Sequence, residues 1–285
     1  MFRRLPSHTR HLTPAPLLSA LVTAALLFGA VGASAADTVL PGSDESIAVA
    51  RETTLELTNP TGPDRLPELK SKAAAAISLR QSRLAELSRR SAKDGDCSRP
   101  VLADLLTADA NALNALGTQL AAETDVKRAK DTYRRIYSDL RVYGLESPRV
   151  ALSSACAIVV ARTVLLQGRI ATLTAVPPLG ADPAVVAATL VDLPARVQAA
   201  ADKARLAVQQ VTILESDRGD KSVAAANVAA LKDAQDSLKA TEVELTAVDT
   251  ILDGLRKGPK TLKKANRIAA AISASTSAAS STVAP

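Results

Sequence analysis

From residue 66 onward, apolar positions recur at intervals of three and four in long stretches bounded by Gly, Pro or polar clusters, the periodicity of helices packed along one face. A first helix is predicted over 66–93, with Pro67 in its first turn and Leu69, Ala73, Ala76, Ile77, Leu84 and Leu87 on one side. After a loop at 94–99, Ser98 and Pro100 open a second helix carrying Val101, Leu102, Leu105, Leu106, Leu113, Leu116 and Leu120, ending near Glu123. The third covers 125–140, with Val126, Ala129, Tyr133, Ile136, Tyr137 and Leu140 opposite a basic face. A tight corner at 144–148, eased by Gly144, leads into a fourth helix that is apolar nearly all round from Val150 to Leu166, the mark of a rod enclosed by its neighbours. A membrane span is the rival reading there, although Arg149 and Arg162 bracket few residues.

Pro177, Pro178 and Gly180 break the pattern at 176–182, and a fifth helix then runs over 183–214, kinked or divided by Pro194. A sixth, over 222–256, stops at Gly258-Pro259. A short amphipathic helix with Leu262, Ala265, Ile268, Ala269 and Ile272 precedes a Ser/Ala/Thr tail expected to be disordered. The class is all-α. Short connections between long helices favour an elongated antiparallel up-and-down bundle of about five or six helices over 66–257, with the loops near 94–99, 141–147 and 215–221 at one end and both termini at the other.

The first 65 residues follow another pattern. Residues 1–35 read as a signal peptide: Arg3, Arg4 and Arg10, an apolar run at 17–31, then Ala33, Ser34 and Ala35, with cleavage expected before Ala36. The Arg3-Arg4 pair hints at twin-arginine export, but the general route fits as well. Residues 36–65 form an acidic, poorly ordered arm, with Asp37, Asp44, Glu45, Glu52, Glu56 and Asp64 outweighing Arg51. The protein is thus expected to be secreted or extracytoplasmic. Cleavage changes the chemistry, because His8, His11, Phe2, Phe28 and Met1 leave with the leader. Losing Arg3, Arg4 and Arg10 takes Lys+Arg from 35 to 32 against 29 Asp+Glu, so the basic balance gives no argument for nucleic acid.

Without histidine, neither His-activated nucleophiles nor Glu-x-x-His di-iron sites nor His-ligated zinc can be assembled. We expect no enzyme activity and no cofactor; a carboxylate-dependent hydrolase would need two acids converging in a cleft. Cys97 and Cys156, an even count in an exported chain, point to a disulfide, with two free thiols or a reactive thiol as alternatives. Tyr133, Tyr137 and Tyr143, the only aromatic residues after the leader, form a core aromatic cluster, or a ligand-stacking pair in the case of the first two. Asp139 and Arg141 are expected to cap helix ends or pair with each other. Arg218-Gly219-Asp220 spells an adhesive tripeptide, and Asp94-Gly95-Asp96 is too short for a calcium loop.

The main functional hint lies in residues 258–285 and just before them: Arg256, Lys257, Lys260, Lys263, Lys264 and Arg267, with no acid after Asp253. Such a cluster suits an anionic envelope polymer or membrane surface, with Leu262, Ile268 and Ile272 able to enter an interface. A solvated tail, or one pairing with the acidic arm, is the alternative.

The stretch Arg141-Val142-Tyr143-Gly144-Leu145-Glu146-Ser147-Pro148-Arg149, preceded by two helices and followed by two long alanine-rich ones, resembles an uncharacterised family of exported helical bacterial proteins that share an R-V-Y-x-L-x-x-P-basic stretch. The resemblance spans about residues 66–255 and implies a fold and an export route but no activity. Cys156 stands where that pattern has an acid. The sequence therefore describes an exported, non-catalytic component of the envelope or secretome that binds, spaces or supports. A carrier of an apolar ligand in the bundle seam is the alternative, and the partner and oligomeric state are unspecified.

Overall fold

The apolar stripes read from the sequence are helical in the computed structural model, which describes residues 65–93, 97 and 99–281. The leader, nearly all of the acidic arm and Asp94-Gly95-Asp96 lie outside the described residues. Among the described residues eight α-helices follow in order: α1 (Arg65–Ser91), α2 (Arg99–Ala122), α3 (Val126–Ser138), α4 (Ser147–Ala175), α5 (Pro183–Leu190), α6 (Leu193–Thr212), α7 (Lys221–Lys257) and α8 (Pro259–Ser281). No strand occurs among the described residues, and the architecture is an all-α bundle.

Local chemistry accounts for the boundaries. The Asp125 carboxylate caps α3 by accepting from the Arg128 N–H at 2.9 Å, Asp182 caps α5 through Ala184 at 2.9 Å, and Asp220 caps α7 through Ser222 at 2.8 Å. Pro194 divides the predicted fifth helix: it has no N–H to offer the Leu190 carbonyl, so α5 stops at Leu190 and the proline sits in the first turn of α6. At Gly258 the backbone takes φ 100°, a left-handed value that glycine adopts without strain, and α8 turns back along α7.

The predicted corner after α3 is built differently. Val142–Glu146 forms a π-helical turn leading straight into α4, and Gly144 has no left-handed φ; the chain changes course at Arg141 (φ −84°, ψ 55°). More importantly, α3 packs on α1 and α2, α4 packs chiefly on α6 and α7, and α3 and α4 barely touch. The Arg83 guanidinium donates to Ser147 Oγ at 3.2 Å, and further along both segments Ser153 Oγ donates to the Cys97 carbonyl. Thus α4 starts in the same sense as α1 and climbs past the α1–α2 connection. Meanwhile α6 runs against α4, since Arg149 meets Val211 whereas Gln167 meets Gln198 at 3.3 Å.

The buried apolar residues divide accordingly. One core joins α1, α2, α3 and the first turn of α4 around Leu84, Leu102, Leu113, Ile136 and Val150. The other joins α4 to α8 around Val159, Val197, Ala204, Val208 and Leu252. The loops at 97, 139–146 and 213–220 do converge, as predicted, but at the waist between two halves. Both chain termini lie outside the described residues; the α7–α8 turn lies at the end of its half remote from the waist.

Two further expectations are corrected. The fourth helix is not enclosed, since Ile158, Val164 and Leu165 are 59%, 62% and 65% exposed. The backbone also stays helical through Ser281, where a short helix and a loose tail were expected. A Cβ on Gly254 would stand 2.7 Å from the Ala265 Cβ, so α7 and α8 approach at a glycine, and Leu262, Ala265 and Ala269 are buried there.

Candidate functional site

The waist holds the densest set of buried polar groups. Arg149, in the first turn of α4, is 2% exposed; its Nε donates to the Val211 carbonyl at 2.9 Å and one terminal nitrogen to the Leu214 carbonyl. These carbonyls belong to the C-terminal end of α6, where helical hydrogen bonding runs out and the dipole favours a cation. The other terminal nitrogen donates to Glu146 Oε1. Glu146 is 4% exposed and its Oε2 has no protein partner.

One guanidinium shared among three acceptors does not fully offset the burial of this carboxyl. Burial pushes Glu146 up to about 7 against the pull of Arg149, and the Asp109 charge on α2 adds to the rise. Asp109 is itself raised by burial, with Arg149 opposing. Two acids therefore do influence each other, but at a closed seam between helices. The arrangement can hold a proton and clamp the halves; with Glu146 so buried it offers a substrate no approach.

Around this group the connections are pinned to one another. Arg141 pairs with the buried Asp217 at 2.9 Å, Ser216 Oγ donates to the Ser138 carbonyl at 2.6 Å, and the Gly219 N–H donates to Asp217 at 2.8 Å. Asp139, the C-cap residue of α3, pairs with Arg135 at 2.9 Å, so Asp139 and Arg141 stand at helix ends, as one of the two expectations had it, and each pairs with another residue rather than with the other. Cys97 and Cys156 stand at disulfide distance, with Cα atoms 6.0 Å apart, linking the α1–α2 connection to α4.

The three tyrosines cluster, half-buried, on the α1–α2–α3 core. Tyr133 and Tyr137 meet edge to face at 5.3 Å with their hydroxyls 3.0 Å apart. What sequence reasoning missed is their cation. Arg80 of α1 is 4% exposed and lies 4.0 Å from the Tyr137 ring centre and 5.6 Å from that of Tyr143. Burial lowers its pKa, and the three tyrosines oppose that shift. The signal was present: Ala73, Ile77, Arg80, Leu84 and Leu87 follow the spacing of one helical face, with an arginine in its middle.

Arg256, Lys257, Lys260, Lys263, Lys264 and Arg267 gather at the α7–α8 turn, every one exposed. Among the described residues none of them takes part in an ion pair; the nearest acid in sequence, Asp253, is engaged by Arg169 at 2.6 Å. Leu262 is turned onto α7, so it is not available to an interface, whereas Ile268 is 41% exposed. In the Arg218-Gly219-Asp220 tripeptide the aspartate serves as the α7 cap, and hydrogen bonds from Ser222 and Val223 lower its pKa. An open groove of about 440 Å³ runs between α4 and α6, lined by Gln167, Ile170, Ala171, Thr174, Ala175 and Pro194.

No family model matches this chain, and neither the curated proteins nor the solved structures contain a match to it. The reading of function rests on the chain's own chemistry.

Proposed function

We propose that this is an exported, non-catalytic helical protein that binds and spaces within the cell envelope, docking through the basic tip of the α7–α8 hairpin on an anionic surface. The observation behind the reading is that tip: six cationic side chains, exposed, outside any ion pair among the described residues, and carried on two helices that pack closely against each other. Arg and Lys near such a surface each add on the order of 1 kcal/mol, and the attraction is screened by salt. The leader-like pattern at 1–35 and a cysteine pair at disulfide distance support an oxidising compartment. The seam at Glu146 and Arg149 supports a mechanical role, since it fixes the two halves and leaves the tip at the end remote from α1.

Sedimentation with anionic vesicles and with a soluble anionic polymer tests this. The full chain should partition in both arms at low salt, release as salt rises, and lose binding when Lys260, Lys263, Lys264 and Arg267 are changed together to Gln. Partitioning that is unaffected by salt and by the quadruple change would sink the reading.

The carrier alternative has one observation in its favour, the α4–α6 groove, whose volume lies in the range of small-molecule sites. Replacing Ala171 with Trp should fill it. An apolar probe such as a fatty acid that binds the parent chain and not this variant would favour the carrier.

A further inference from the structure

The outward face of α4 differs from those of the two long helices packed against it, α6 and α7. On α6 the exposed positions include Asp202, Lys203 and Arg205, and on α7 Lys232, Asp233, Asp236 and Lys239. On α4 the exposed positions Ile158, Ala161, Val164, Leu165, Gly168 and Thr172 carry no charge. Five of them, at 158, 161, 165, 168 and 172, fall at alternating steps of three and four, the seam spacing of two helices packed side by side. A Cβ built on Gly168 meets nothing within 4 Å, so the middle of the row is open.

We infer that this face is a self-association surface on which a second copy of the chain packs α4 against α4. Three observations select a second copy. The row is self-complementary, with large Ile158 and Leu165 alternating with small Ala161 and Gly168, so a twofold axis can set knobs opposite gaps. The bordering charges are already neutralised inside one copy: Arg169 is held by Asp249 and Asp253, and Arg162 lies 3.8 Å from Asp249, so two copies can approach without like-charge opposition. Finally, the area suffices. A contact along this row, about 21 Å of helix at 1.5 Å per residue, with its flanking rows removes on the order of 500 Å² per copy, the size of a weak, reversible association.

A bilayer is the other apolar surface that could cover the face. It fits less well, because Asp249 and Asp253 would be brought against the headgroups and the row has neither aromatic anchors nor free lysines at its border. The inference does not depend on the basic tip.

Sedimentation velocity on the full chain from about 1 to 300 micromolar tests it. The parent chain should shift from monomer to dimer; Leu165→Glu and Ile158→Glu should each weaken the dimer by roughly 100-fold, since the twofold brings like charges into an apolar seam. Leu79→Glu, at a residue 61% exposed on α1, should leave it unchanged. All three positions are exposed, so circular dichroism should not move, nor should the melting temperature at concentrations where every chain is monomeric. A parent chain that stays monomeric throughout, a dimer indifferent to both α4 changes, one equally weakened by Leu79→Glu, or flotation with neutral vesicles that Leu165→Glu abolishes would each overturn the inference.

Discussion

The two halves on either side of the waist reach stability by different routes. In the α1–α2–α3 half the buried positions are mostly large: Leu84, Leu87, Leu102, Leu106, Leu113, Leu120 and Ile136, with the three tyrosines at the margin. In the α4–α8 half the facing positions are small, with Ala200, Ala204, Ala207, Ala234 and Ala247 among valines and leucines. Large side chains hold helix axes apart and fill the space between them, whereas alanines let the axes close in and gain contact from the backbones themselves. The first half therefore has room for a caged arginine. The second has closely set helices, an open groove at their margin and a face left uncovered.

The strongest way to break this comparison is to cut what joins the halves. Changing Cys97 and Cys156 to Ser removes a link spanning 59 positions, for which loop-closure entropy gives about 4 kcal/mol. Calorimetry should then show two separate transitions where the parent chain shows one. A single transition, shifted or not, would mean that the side-chain seam alone couples the halves.

The seam is next in size. Glu146 binds a proton more tightly in the folded chain than in the unfolded one, so its contribution is fully present below the unfolded carboxyl pKa and is lost as pH rises through about 7. Asp109 acts in the same direction. Glu86, lowered by Arg83, and Asp220, lowered by its capping bonds, act oppositely: what they contribute is lost as pH falls through their lowered folded values. Chemical denaturation should find stability decreasing between pH 5 and pH 8 by on the order of 3 kcal/mol. Glu146→Gln should flatten most of that slope and raise stability at pH 8.

Within each half the two packing styles predict opposite sensitivities. Leu113→Ala opens a cavity between wide-set helices and should cost about 3 kcal/mol. Ala204→Leu forces close-set helices apart and should cost about 2 kcal/mol, while the same exchange at the exposed Ala199 should be near neutral. If Ala204→Leu were tolerated like Ala199→Leu, the contrast between the halves would fail.

Much of this was legible in the sequence. Apolar periodicity located the helices, Pro194 and Gly258 located two breaks, and the even cysteine count identified the pair. What was not legible was the sense of α4: it sets off alongside α1, which carries Cys156 past the α1–α2 connection that holds Cys97. Helix sense across a short connection is decided by which faces bury one another, and Leu145 and Val150, on either side of the turn, belong to different cores. The uncovered face of α4 was hidden for a related reason: an all-round apolar helix has the same composition whether its last side meets a neighbour or water. The seam at Glu146 and Arg149 lay inside the quoted 141–149 stretch, but nothing in the spacing says that both side chains turn inward.

The smallest expected effect concerns the cage, and its sign is the informative part. Arg80 is a buried cation whose Nε has no hydrogen-bond partner, so its desolvation is offset chiefly by Tyr137, through its ring face and a side-chain hydrogen bond, and by the ring of Tyr143. Removing the ring while keeping the cation, as in Tyr137→Leu, should destabilise by about 2 kcal/mol, because the charge is then buried against aliphatic groups. Removing the cation while keeping the rings, as in Arg80→Met, should change stability by about 1 kcal/mol or less, since a side chain of similar length fills the same space without desolvation cost. In the double variant most of the Tyr137→Leu cost should disappear, a coupling that denaturation of the three variants measures directly. If Tyr137→Leu cost the same with and without Arg80, the ring would be acting as bulk alone, and the first half would be a plain leucine core differing from the second only in side-chain size.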